Sequence, residues 1–133
     1  MFPNPPPYTL DRDRLSDLYG GDAAYAADLF ATFLEIVWPE MALMETHVAR
    51  QNWLELGRAA HKYKPSLGMV GLSELEAQLL RIEVAAKNSL QPEQIEALYR
   101  QCALEIAQMI PTLRAELQRL LLQANPGSAN PRP

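Results

Sequence analysis

Residues 54–72 read Leu54-Glu55-Leu56-Gly57-Arg58-Ala59-Ala60-His61-Lys62-Tyr63-Lys64-Pro65-Ser66-Leu67-Gly68-Met69-Val70-Gly71-Leu72. As a helix, this stretch has two unlike faces. Leu56, Ala60, Tyr63, Leu67 and Val70 step by four, three, four and three, so they lie along one apolar stripe. Gly57, Arg58, His61, Lys64, Pro65 and Gly68 form a second stripe. It holds an imidazole, two cations, two glycines and a proline, and no bulky apolar group. A glycine costs roughly 1 kcal/mol against alanine inside a helix. Two of them on one face point to something that must approach the backbone closely.

The apolar stripe needs neighbours to bury against, and the flanking chain supplies them. Upstream, Asp22 is an N-cap for a helix that runs to about Gln51. Ala26, Phe30, Phe33, Val37, Met41, Met44 and Val48 give its main stripe, with Leu29, Leu34, Ile36 and Trp38 broadening the arc. Pro39 lies inside and is expected to bend it. Asn52 and Glu55 read as a capping box that opens the His61 helix, and Ser73 with Glu76 as a second box for the next. There Leu72, Leu75, Leu79, Ile82 and Ala86 form the stripe, ending near Asn88. Pro92 sits at the tolerated first turn of a last helix. Its contacts are Ile95, Leu98, Cys102, Ile106, Met109, Leu113, Leu117 and Leu120, with a kink expected at Pro111. Leu10 to Tyr19 forms a short extra helix through Leu15 and Leu18, stopped by Gly20-Gly21.

No strand pattern occurs. Four long amphipathic helices with short connections imply an all-α, antiparallel up-down-up-down four-helix bundle, with the short first helix covering one end. Residues 1–9 hold four of the eleven prolines and are expected to be extended and flexible. The bundle spans residues 10–124, and residues 125–133 read as a disordered tail.

The bulk numbers narrow the function. A chain of 133 residues, 48% hydrophobic and 21% charged, forms one domain with a real core. A net charge of −4 argues against nucleic-acid binding, which needs a basic surface. The single cysteine, Cys102, falls on an apolar stripe and fits a reducing, cytoplasmic setting. No apolar run reaches membrane-spanning length, and the N-terminus lacks the pattern of a signal peptide. No nucleotide-binding glycine loop, Ser/His/Asp set or CxxC pair is present. The start methionine favours a free-standing protein.

The run Ala60-His61-Lys62-Tyr63-Lys64-Pro65-Ser66-Leu67-Gly68-Met69-Val70-Gly71-Leu72 resembles, without a gap, the motif of the histidine phosphotransfer (HPt) domains of bacterial phosphorelays. The likeness extends over about residues 10–125. It implies that His61 accepts a phosphoryl group on its far ring nitrogen, Nε2, from a receiver-domain aspartate or a kinase, and passes it to another aspartate. Lys64, one turn on, would sit beside the phosphoryl oxygens. Arg58 and Lys62 would add positive potential for an acidic receiver. Gly57 and Gly68 would leave room for its loops, and Leu54 and Leu67 would form an apolar rim. The implied partners are response-regulator receiver domains and a hybrid sensor histidine kinase. Mg²⁺ is expected on the receiver, and no metal or cofactor on this chain. The bundle itself offers no second catalytic group, no kinase activity of its own is implied, and a monomer suffices.

The departure from the family pattern is Pro65, where glycine is usual. Proline lacks the N–H that would bond the carbonyl of His61, and its ring crowds that carbonyl. This predicts either a kink just after His61 or a straight helix with one carbonyl turned to water. A degenerate docking module that binds a receiver or kinase without carrying phosphate is the alternative reading. A di-metal bundle enzyme is excluded, because neither His47 nor His61 has the Glu-x-x-His pattern. A plain oligomerising helical domain is a further alternative.

Overall fold

The computed structural model describes residues 5–88 and 91–125. The tail expected over 125–133 lies outside the described residues except for Asn125. Among the described residues five helical segments follow one another: α1 (Arg12–Tyr19), α2 (residues 23–49, in pieces), α3 (Trp53–Met69), α4 (Ser73–Lys87) and α5 (Pro92–Ala124). No strand occurs among the described residues.

Each start has a local cause. The Asp11 side chain accepts from the Arg14 N–H, Asp22 from Tyr25 and Asn52 from Glu55. Gly20 takes a left-handed φ of 55°, and its N–H closes α1 on the carbonyl of Ser16. Two expected capping features differ. The Glu55 carboxylate pairs with Arg58 instead of turning back to the cap. The cap of α4 is Leu72, and the Ser73 hydroxyl donates to Asp11 at 2.7 Å, tying α4 to the start of α1.

α2 is interrupted rather than simply bent at Pro39. Its pieces are Ala23–Thr32, a π turn over Phe33–Val37, Trp38–Met41 and Leu43–Ala49. The Trp38 N–H bonds the carbonyl of Phe33, five residues back. The ring of Pro39 would press on the carbonyl of Glu35, and the widened turn gives it room. Pro111, by contrast, lies within an uninterrupted α5.

The apolar stripes converge. α3 packs extensively on α4, α5 packs on α2 and α4, and the last piece of α2 packs on α3. Phe30, Phe33, Met44, Leu56, Leu67, Leu72, Leu75, Leu79, Ile82, Ile95, Met109 and Leu113 are fully buried in one continuous core. Burying each large apolar side chain contributes roughly 1.5–3 kcal/mol. Leu18 and Ile36, expected to pack, are exposed instead. They lie at the edges of their stripes, where no neighbouring helix reaches them.

The chain just before α1 is held at Tyr8 and Leu10. The Tyr8 hydroxyl donates to Glu105 at 2.5 Å and accepts from Gln78 at 2.9 Å, and Leu10 is buried. The flexible stretch expected over 1–9 therefore does not extend to Tyr8. The first anchor of α1 is Glu116 on α5, which is 5% exposed and accepts from Arg12 at 2.7 and 2.9 Å and from Arg119 at 2.6 and 3.1 Å. Burial alone would raise the Glu116 carboxyl, but the two guanidinium groups outweigh it and hold it down to about 2.

A folded-state value below the unfolded one stabilises the protein above the ordinary carboxylate range. That stabilisation is lost as the pH falls through about 2. Glu116→Gln should therefore cost roughly 1.5–3 kcal/mol at neutral pH. The loss should shrink steadily below the ordinary carboxylate range. Urea midpoints of both proteins at neutral and acid pH check it.

Candidate functional site

His61 sits in the middle of α3, on the side turned away from the Leu56–Ala60–Tyr63–Leu67 stripe, and 71% of its side chain is exposed. Its Nδ1 lies 2.9 Å from Oε2 of Glu83 on α4. The other oxygen of that carboxylate accepts from Nζ of Lys64 at 2.9 Å. Glu83 thus bridges the histidine and the lysine one turn further on. The close packing of α3 on α4 makes this possible. A Cβ at Gly57 would already stand 3.4 Å from that of Ala86, so the helices meet closely beside the site.

The Lys64 hydrogen bond holds Glu83 below the usual carboxylate range, against burial and with help from His61. An ionised carboxylate can only accept, so Nδ1 of His61 must carry the proton. In the neutral ring Nε2 then keeps its lone pair. The nitrogen nearer the backbone is tethered, and the farther one is left free on an open surface.

Leu54 is 65% exposed and lies with Trp53, Gly57, Arg58, Ala86 and Lys87 along a groove of about 860 Å³ that reaches His61 and Glu83. Leu67 is not part of any rim. It is 0% exposed, because it belongs to the apolar stripe against the core. Gly68 is buried too, and the room it leaves is already taken. A Cβ there would come within 2.8 Å of the Glu76 carboxylate and collide with the guanidinium of Arg14 from α1.

The three cations expected near His61 each have an acidic partner. Arg58 pairs with Glu55 at 2.7 Å, and Lys62 turns to Glu40 on α2 at 2.6 Å, while Lys64 turns to Glu83 on α4. Lys62 and Lys64 are two positions apart on a helix, so they point to different neighbours. Glu40 also accepts from the buried Tyr63 hydroxyl at 2.8 Å, which fixes that side of α3.

α3 runs through Pro65 without interruption, and the proline is exposed. The missing N–H and the crowded carbonyl remain a cost, offset by the packing of the opposite face. Pro65→Ala should raise stability by roughly 1–3 kcal/mol, read as a higher thermal midpoint.

Glu83 and Arg14 belong to no motif in the sequence. Glu83 stands four residues after Leu79 and seven after Glu76, at the edge of the α4 stripe. That spacing is the one signal that would have placed it beside α3. Among the described residues, no group of three or more His, Cys, Asp or Glu side chains is arranged to hold a metal ion. Among the same residues no helix is long and apolar enough to cross a membrane.

The site is thus an exposed, tethered imidazole on a helical bundle, with a lysine one turn away. The family described as Hpt domain matches residues 28–123, and the chain belongs to that family. No curated protein and no solved structure matches the chain.

Proposed function

We propose that the chain is a phosphorelay intermediate, on an up-down-up-down antiparallel bundle, that carries a phosphoryl group on Nε2 of His61. The observation that supports this most directly is the Glu83 tether on Nδ1, which leaves Nε2 exposed with its lone pair. Family membership makes a histidine phosphotransfer role the natural one.

The chemistry balances with few groups. The Nε2 lone pair attacks the phosphorus of an aspartyl phosphate on a receiver domain. The N–P bond forms as the P–O bond to the aspartyl carboxylate breaks, and the aspartate leaves as its carboxylate. Nε2 has no proton to lose, so no general base is needed. The ring gains positive charge, and Glu83 faces that charge through the Nδ1–H. Lys64 lies one turn from the imidazole and can swing from Glu83 toward the phosphoryl oxygens. Transfer onward is the same step reversed onto a second aspartate. The receiver brings its own Mg²⁺ and most of the charge stabilisation, and this chain contributes the nucleophile, its tautomer and a docking face.

A monomer in the cytoplasm, working with receiver domains and a hybrid sensor kinase, fits this role. Incubation with a receiver domain phosphorylated with labelled phosphate tests it. The expected result is label on this chain that is lost in acid, kept in base and mapped to His61. Stable binding of the receiver with no label transferred would instead identify a docking module.

A further inference from the structure

The family match begins at residue 28, so α1 (Arg12–Tyr19) lies outside it. Yet α1 reaches the surface that carries His61. Gly68 follows His61 by seven residues, which is two helical turns and about 10.5 Å along the axis on nearly the same face. Arg14 fills the space above Gly68, where a Cβ would collide with its guanidinium. It pairs with Glu76 at 2.5 Å, and its side chain remains 38% exposed. Glu76 lies seven residues before Glu83 on α4, so two acid-bridged cations, Lys64 and Arg14, follow one another along the α3–α4 seam.

Two of the five N–H groups of Arg14 go to Glu76, and among the described residues the others have no acceptor. The helix that presents it is fixed at both ends. The Asp11 N–H donates to the carbonyl of Gly71 at 2.9 Å, and the Tyr19 hydroxyl to that of Met69 at 2.6 Å. Gly71 itself lies close against Leu15, and its positive φ of 77° favours glycine there. A side chain on so rigid a platform loses little freedom when it meets a partner.

We infer that α1 is part of the docking face and that Arg14 is a specificity-determining residue, reading an acceptor oxygen on the receiver domain two turns from His61. The inference rests on the carrier reading above. A docking interface of ordinary size buries about 800 Å² on each partner, a patch of about 16 Å radius. A receiver centred on His61 therefore covers Arg14. The partner is acidic by its chemistry, because the pocket around a phospho-accepting aspartate is built of carboxylates. Arg14 meets the receiver surface beside that pocket, where a guanidinium with free donors suits carboxylate or carbonyl oxygens.

The test uses the full chain and a panel of receiver domains phosphorylated with labelled acetyl phosphate. Transfer to the wild type, Arg14→Ala, Arg14→Lys and Gly68→Ala is measured as KM and kcat. Arg14→Ala should raise KM about tenfold for the preferred receiver, with kcat within about twofold, and flatten the ranking of the panel. Arg14→Lys keeps the charge but not the fork, and should fall between. Gly68→Ala leaves Arg14 in the chain but pushes it from its seat, and should reproduce the KM rise without loss of thermal stability. Equal KM values in all four proteins would overturn this inference and leave the carrier reading standing. A fall in kcat at constant KM would also overturn it. Failure of every receiver to label the wild type would overturn both.

Discussion

Glu83→Gln should slow phosphoryl transfer from a receiver to His61 by roughly tenfold to hundredfold, a barrier increase of about 1.4–2.7 kcal/mol. Glutamine keeps the size of the side chain but not its single role. Its carbonyl can accept from the Nδ1–H, or its amide can donate to a bare Nδ1. In the second arrangement the ring proton moves to Nε2, and the nucleophile is blocked. The charge that faces the imidazole as the N–P bond forms also disappears, and Lys64 loses the carboxylate that positions it. Orienting partners of functional side chains contribute effects of about this size. The carboxylate of a deeply buried triad contributes more. Glu83 is about a quarter exposed, so the smaller range applies. Single-turnover rates measure it. A variant as fast as the wild type, with the same thermal midpoint, would remove Glu83 from the mechanism.

The residues that make the bundle were legible because they obey a period. All five members of the α3 stripe and all five of the α4 stripe are buried, and that follows from a spacing of three and four alone. The residues that make the site a site obey no period. His61 announces itself through its unusual neighbours, but its tether comes from 22 positions away, on the neighbouring helix α4. Glycines on an exposed helix face look alike in sequence, whether or not a neighbour fills the space. Gly57 borders the open groove and meets α4 only at ordinary contact distance, whereas the space over Gly68 is filled by Arg14. In sequence Arg58, Lys62 and Lys64 look like one positive field. Each has its own acid, two of them on different helices, so the field is divided among three ion pairs. Long-range pairing of charges is decided by helix rotation and register. The apolar pattern fixes these only to within a residue or so, and that is enough to place a core but not a carboxylate. The interruption of α2 was half legible: Pro39 marks the place, but the π turn that accommodates it leaves no mark in the sequence.

His61→Gln should abolish labelling by any phosphorylated receiver and change the fold hardly at all. The two halves of this result rest on different facts. No other exposed histidine can substitute. His47 sits in the last turn of the final piece of α2, where Glu83 and Lys64 are not its partners. An amide nitrogen has no lone pair basic enough to attack phosphorus, so the loss should be complete rather than partial. Stability should hold because the His61 side chain lies largely in water and contacts the bundle chiefly through Glu83. The glutamine amide can donate to the same carboxylate, and Lys64 still neutralises it. Surface substitutions of this kind change stability by about 0.5 kcal/mol or less. Receiver binding should survive as well, since the groove beside Leu54 and Gly57 is unchanged. Calorimetric titration of the variant with a receiver domain, set beside the labelling assay, separates docking from chemistry. Label remaining in His61→Gln would place the phosphoryl group elsewhere and end the assignment of this residue as its carrier.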